Sequence, residues 1–159
     1  MSTGVQTERK RLGVRLLTPE GSVFEGQAYM VVAPSVEGEV GILPRHAPLI
    51  AFLRMGETRI KLLDDTVQVF ATTEGYFSIE EDQVMILVEQ AEDASTIDRS
   101  RAETALRRAE EDLSAAGDDD VARTAAESAR RRAENRLSVA DKDSSRSTGR
   151  ADLPAPPIG

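Results

Sequence analysis

TRIKLLDDTVQVFA, residues 58–71, decides the fold. Ile60 and Leu62 alternate with Arg59 and Lys61, and Val67, Val69 and Ala71 repeat the spacing after the break at Asp64 and Asp65. A period of two sends successive side chains to opposite faces of a pleated strand, so both halves read as half-buried strands joined by a tight turn. Working outward, similar punctuation recurs at TPEGS (18–22), EGE (37–39), MGE (55–57), TEG (73–75) and EED (80–82). Many short strands between closely spaced turns predict an all-β sandwich or barrel up to about residue 94.

Near residue 95 the period changes. Ala102, Ala105, Leu106, Ala109 and Leu113 follow helical spacing, and Ala122, Ala125, Ala126, Ala129, Ala133 and Leu137 follow it again. STID (95–98) supplies the start: Ser95 or Thr96 accepts from an orphan amide, and Asp98 in the first turn suits the helix dipole. AAGDDD (115–120) stops the first helix at Gly117 and caps the second with aspartate. So short a connection predicts an antiparallel α-helical hairpin over 95–140. Its alanine stripes allow close approach but bury little area, and at ~25 cal/mol per Å² its packing is weak and reversible. Residues 1–11 read as a flexible extension, 12–94 as the β domain, 95–140 as the hairpin, and 141–159, rich in Ser, Gly, Pro and charge, as a disordered tail.

The composition narrows the function. Of 159 residues 40% are apolar and 30% charged, as in a soluble globular protein. The longest apolar run, VMILV (84–88), is far shorter than the ~20 residues of a spanning helix, and nothing at the start resembles a signal peptide. With no cysteine there is no disulfide, thiolate nucleophile or sulfur-ligated zinc. A net charge of −8 argues against nucleic acid, whose phosphates require a basic face. The acidity sits in front: residues 1–94 hold 15 acids and 8 bases, residues 95–140 hold 10 and 9.

EGEVGILPRHAPL (37–49) packs two glycines, two prolines and the only histidine into one stretch. Gly38 and Gly41 permit positive φ or close backbone approach, while Pro44 and Pro48 stiffen the loop. An imidazole is a common general base and metal ligand, but no G-x-S-x-G elbow, cysteine or second histidine accompanies His46, so neither a catalytic residue nor a metal site is assigned. Stiff loops on rigid scaffolds are places where partners bind. In the hairpin, Asp98, Arg101 and Arg108 share one side of the first helix, and Arg132 and Arg136 share one side of the second. Residues 95–140 contain nine arginines and no lysine. Planar guanidiniums suit bidentate capture of phosphate or carboxylate, and a solvated charged face is the bland alternative.

LLTPEGSVFEG (16–26), EGEVGILPRHAPL (37–49), IDRSRA (97–102) and RAENRLSVA (132–140) together resemble the epsilon subunit family of the F-type ATP synthase rotor, over about residues 12–140. The resemblance implies a β-sandwich followed by two helices. It also implies a non-catalytic central-stalk subunit at the cytoplasmic side of the bacterial membrane, peripheral and without direct insertion, that couples proton flow to ATP synthesis. Its implied partners are the gamma subunit and the c-ring, with the alpha and beta subunits added when the hairpin extends as a brake on hydrolysis. Glu39 and His46 carry over as partner contacts. No cofactor is required, but some members bind regulatory ATP, at positions that map to Ile97, Asp98, Arg101 and Ala102, supported by Glu92, Arg108, Arg132 and Arg136. Arg45 stands where a small residue is usual, and TTEGYF (72–77) departs from a double-glycine pattern. The alternative is a free nucleotide-sensing module outside the synthase.

Overall fold

The computed structural model describes residues 10–151, which form two compact units divided between Ala91 and Glu92. The first unit is built from strands β1 (Leu12–Thr18), β2 (Gly21–Ser35), β3 (Gly38–Ile42), β4 (Leu49–Leu53), β5 (Gly56–Leu62), β6 (Val67–Thr72), β7 (Gly75–Glu80) and β8 (Gln83–Val88). TRIKLLDDTVQVFA becomes the β5–β6 hairpin, with Arg59 opposite Val69 and Lys61 opposite Val67.

Hydrogen bonding runs β1-β8-β7-β4-β2-β5-β6, with β3 on β2. The long β2 joins the layers. Its first half pairs with β1 from Leu12↔Ala28 to Thr18↔Gly21, and its second half pairs with β5 and β3. β1 lies parallel to β8, the other pairings being antiparallel, and the strands enclose one sandwich core. The alternation predicted from sequence fills it: Leu12, Val14 and Leu16 from β1, Phe77 and Ile79 from β7, and Val84, Ile86 and Val88 from β8 are all buried. Each large side chain removed from water contributes about 1.5–3 kcal/mol. Phe24 meets Phe70 edge to face at 6.2 Å between centroids. Thr58 and Thr72, buried polar side chains, satisfy each other through hydroxyls 2.9 Å apart.

A short strand, β9 (Ala91–Asp93), and a 3-10 turn at Ala94–Thr96 lead into α1 (Arg99–Ala115) and α2 (Asp120–Ala151). The start of α1 differs in detail from expectation. Asp98 itself is the cap, accepting from the Arg101 amide at 3.0 Å, and Asp93 accepts from the Ser95 amide and hydroxyl. An extended φ,ψ at Asp98 places its carboxylate under the open amides, which Ser95 and Thr96 sit too early to reach. Gly117 takes the left-handed φ of +53° that turns the chain, and the Asp119 carboxylate caps α2 at the Ala122 amide. Ala102, Ala109, Ala126 and Ala133 are the buried seam between the helices.

The expected disordered tail from 141 requires correction, because α2 continues to Ala151. An established helix adds one hydrogen bond per residue without a new nucleus. The Ser144 and Ser145 hydroxyls bond back to the carbonyls of Ala140 and Asp141, so this polar segment satisfies itself. The 1–11 extension as far as Arg9, and the tail from Asp152, lie outside the described residues.

Candidate functional site

The stiff loop is built from both ends. At its start Ser35 donates its hydroxyl to the Gly38 carbonyl at 2.6 Å and accepts from the Glu37 amide, closing the β2–β3 turn. Glu39 follows on β3, exposed, its carboxylate receiving Arg59 at 2.9 Å. Arg59 also donates to Glu57 at 2.9 Å and so bridges two acids. Partial burial pulls the Arg59 pKa down, but the hydrogen bonds it donates to Glu57 and Glu39, together with their negative charge, outweigh it and the net shift is upward. That guanidinium is charged at every working pH.

At the far end, Leu43 to His46 form a turn closed by the His46 amide on the Leu43 carbonyl at 3.1 Å. Pro44 enters the turn, and Arg45 takes φ = +69°. The Arg45 amide donates to the Asp82 carboxylate at 2.6 Å, which ties the loop to the β7–β8 turn. The His46 ring is half-buried, with Nδ1 2.7 Å from the Ala47 carbonyl. A carbonyl only accepts, so Nδ1 carries the proton and Nε2 is left for another group. Glu39 and His46 thus belong to one loop but are held by separate neighbours.

Sequence reasoning missed the surface beside this loop. Ile50 is 73% exposed and Phe52 68%, both on the same face of β4. Phe52 pairs across with Tyr76 of β7, also exposed, and its carbonyl accepts from the amide of exposed Val36. The signal was LIAFL (49–53): apolar on both faces, it gives one set of side chains to the core and leaves the other uncovered.

In the second unit the eight positions expected around a nucleotide serve several structural tasks. Arg136 grips Glu92 with two bonds, Nε at 2.6 Å and Nη2 at 3.1 Å. Ile97 closes the 3-10 turn on the Ala94 carbonyl, Asp98 caps α1, and Ala102 is fully buried in the helix seam. Arg101 and Arg108 line a shallow hollow with Ser100, Thr104 and Ala105, all from α1. Arg132 and Arg136 do not line it, so the structure brings together two of the four arginines. Arg99, not anticipated from sequence, pairs with Glu103 and Asp141, and the Asp141 carboxylate raises its pKa. Among the described residues no group of three or more His, Cys, Asp or Glu could hold a metal, and no helix is long and apolar enough to cross a membrane.

Comparison with known proteins matches this architecture piece by piece. Residues 11–94 match the β-sandwich domain of the ATP synthase delta/epsilon chain, and residues 95–141 match its long α-helix domain. The chain belongs to the ATP synthase delta/epsilon family. The ATP synthase epsilon chain of Halalkalibacterium halodurans is 46% identical over 110 residues, covering 69% of this chain and 82% of its own. That of Bacillus subtilis is 41% identical over 110 residues, covering 69% and 83%. A chain of the Euglena gracilis mitochondrial ATP synthase, solved with OSCP, F1 and the c-ring, superposes with a TM-score of 0.69 over 84% of each chain. At 18% identity that likeness shows the fold alone. In this epsilon-type chain α2 extends beyond the matched helical domain, from residue 141 to Ala151.

Proposed function

We propose that the chain is a non-catalytic rotor subunit of a proton-driven ATP synthase, lodged in the central stalk and held peripherally at the cytoplasmic side of a bacterial membrane. Its sandwich binds the gamma subunit and the c-ring, and so helps turn proton flow into rotation. The observation that carries this reading is the exposed strip of Val36, Ile50, Phe52 and Tyr76 beside the Glu39–His46 loop, in a chain whose two parts match both domains of the family in order. Apolar side chains grouped on an otherwise acidic surface suit burial against a protein partner. Glu39, His46 and the strip form the contact surface.

The hairpin is proposed as a brake on ATP hydrolysis, folded in one state and extended among the alpha and beta subunits in the other, with ATP favouring the folded state. Arg101 and Arg108 would receive phosphate, and Arg136 would exchange Glu92 for it. A ligand preferring one state stabilises it by RT ln(1 + [L]/Kd), about 2.7 kcal/mol at 100 times Kd, enough to shift a weakly packed element.

Purification through a tag on this chain should bring down gamma and the catalytic subunits; recovery of the chain alone would leave the free nucleotide-sensing module. Removing residues 95–159 from the assembled enzyme should raise ATP hydrolysis, and unchanged activity would confine the chain to coupling. Isothermal titration of the free subunit should show millimolar or tighter ATP binding that Arg101→Ala and Arg108→Ala weaken. No heat from the parent chain would remove the nucleotide from this account.

A further inference from the structure

Arg45 is the one residue of the stiff loop that adopts a conformation disfavoured for its type. At φ = +69° it occupies the third position of a turn that ordinarily calls for glycine or asparagine there. A Cβ is crowded by the backbone in that region, and such a conformation persists only when its surroundings hold it. Pro44 before it and the His46 amide after it define the turn but do not fix where the turn stands on the sandwich.

The Asp82 carboxylate does. It accepts from the Arg45 amide at 2.6 Å, a charge-assisted bond across 37 residues of chain. Asp82 is itself anchored. It sits with Glu81 in the two-residue β7–β8 turn, both at positive φ (47° and 60°), as a type I′ hairpin requires. Its carbonyl accepts from the Gly13 amide at 2.9 Å, at the start of β1. The loop tip is therefore pinned through Asp82 to the β7–β8 hairpin and to β1.

We infer that Asp82 is a positioning residue for docking: by holding Arg45 in its left-handed conformation it pre-sets the loop, His46 included, against the surface that the partner meets. This rests on the proposed role of that loop as a partner contact. A loop ordered before encounter loses less conformational freedom on binding, so the latch acts on affinity rather than on the fold.

Two variants separate the roles. Asp82→Gly removes the carboxylate and keeps positive φ accessible; Asp82→Asn keeps both an acceptor oxygen and tolerance of that φ. In the isolated full chain, hydrogen exchange should show the Arg45 amide exchanging about tenfold faster or more in Asp82→Gly, with the β1 and β8 amides unchanged and Asp82→Asn close to the parent. Rebinding to synthase particles stripped of this subunit should weaken roughly five- to tenfold for Asp82→Gly and be restored in Asp82→Asn. Unchanged Arg45 exchange in Asp82→Gly overturns the latch, and faster exchange with undiminished rebinding overturns its role in docking. Failure of the parent chain to rebind overturns both the docking role and the rotor assignment, whereas the exchange measurement reads the latch by itself.

Discussion

Gly75 shows how a single position can be settled by backbone geometry. A Cβ built there would lie 1.9 Å from the Leu87 carbonyl oxygen, an atom of the adjacent strand that cannot move without opening the β7–β8 ladder. Gly75→Ala is expected to destabilise the sandwich by about 2–3 kcal/mol, the upper range for overpacking, and to lower its thermal midpoint by about 10 °C or more. Circular dichroism melting checks this; a midpoint within two or three degrees of the parent would mean the strands separate more cheaply than their contact implies. In the sequence this glycine was visible in the turn signal TEG and in the TTEGYF stretch, but its close contact was not, because close strand approach is a property of two distant segments. Asp98 was legible as a residue of the helix start but not as the cap, since the choice among Ser95, Thr96 and Asp98 depends on where the preceding 3-10 turn ends. Asp98→Ala should cost about 1 kcal/mol of hairpin stability, measured by helical circular dichroism, whereas Asp98→Asn should cost little. His46 and Glu39 were readable as positions; Asp82, which holds the Arg45 amide beside His46 from 37 residues away, and Arg59, which meets Glu39 from 20 residues away, were not.

The strands and helices divide by how much of their reading is local. β5 and β6 follow from their own alternation, and α1 from its alanine period. β2 spans 15 residues, through Gly26 and Pro34 to Ser35, and no local pattern predicts that one strand serves two layers. β4 hid its exposed face because an apolar run does not say which side is covered. The end of α2 was misread for the converse reason: DKDSSRSTGR has no apolar period, yet a polar helix can continue from a packed one when hydroxyls such as those of Ser144 and Ser145 bond back to its own carbonyls and Asp141 pairs with Arg99 of α1. The hairpin seam carries its own prediction. Ala109 is 1% exposed, and the seam alanines recur at seven-residue spacing within each helix, so the helices meet where no larger side chain fits. Ala109→Leu should therefore destabilise the hairpin by roughly 1–3 kcal/mol even though leucine is the more apolar residue. Hydrogen exchange along α1 and α2 should accelerate while the sandwich amides do not. A stabilised hairpin would instead show that the seam has room and that its weakness is lost area alone.

The whole chain joins a strongly packed unit to a weakly packed one. Every buried member of the main core cluster lies between Leu12 and Val88, and it includes phenylalanine, leucine, isoleucine and valine from seven different strands and β2. The described helices bury alanines and Val139 among themselves, side chains that remove far less apolar area from water per residue. A fragment ending near residue 94 should therefore fold alone, and its thermal midpoint should lie within a few degrees of the sandwich transition of the full chain. The full chain should unfold in two steps, helical signal first, because the buried members of the sandwich core all lie at or before Val88 and the last side chain packed against them is Ala91. Differential scanning calorimetry with circular dichroism at a helical wavelength tests both statements. A single cooperative transition in the full chain, combined with a molten fragment, would mean that the units stabilise each other strongly. The hairpin could then not be released at the small free-energy cost that a ligand-controlled brake needs. Two separate transitions would leave the sandwich free to stay docked on its partners while the helices change state, which is the physical requirement for one chain to serve both coupling and control.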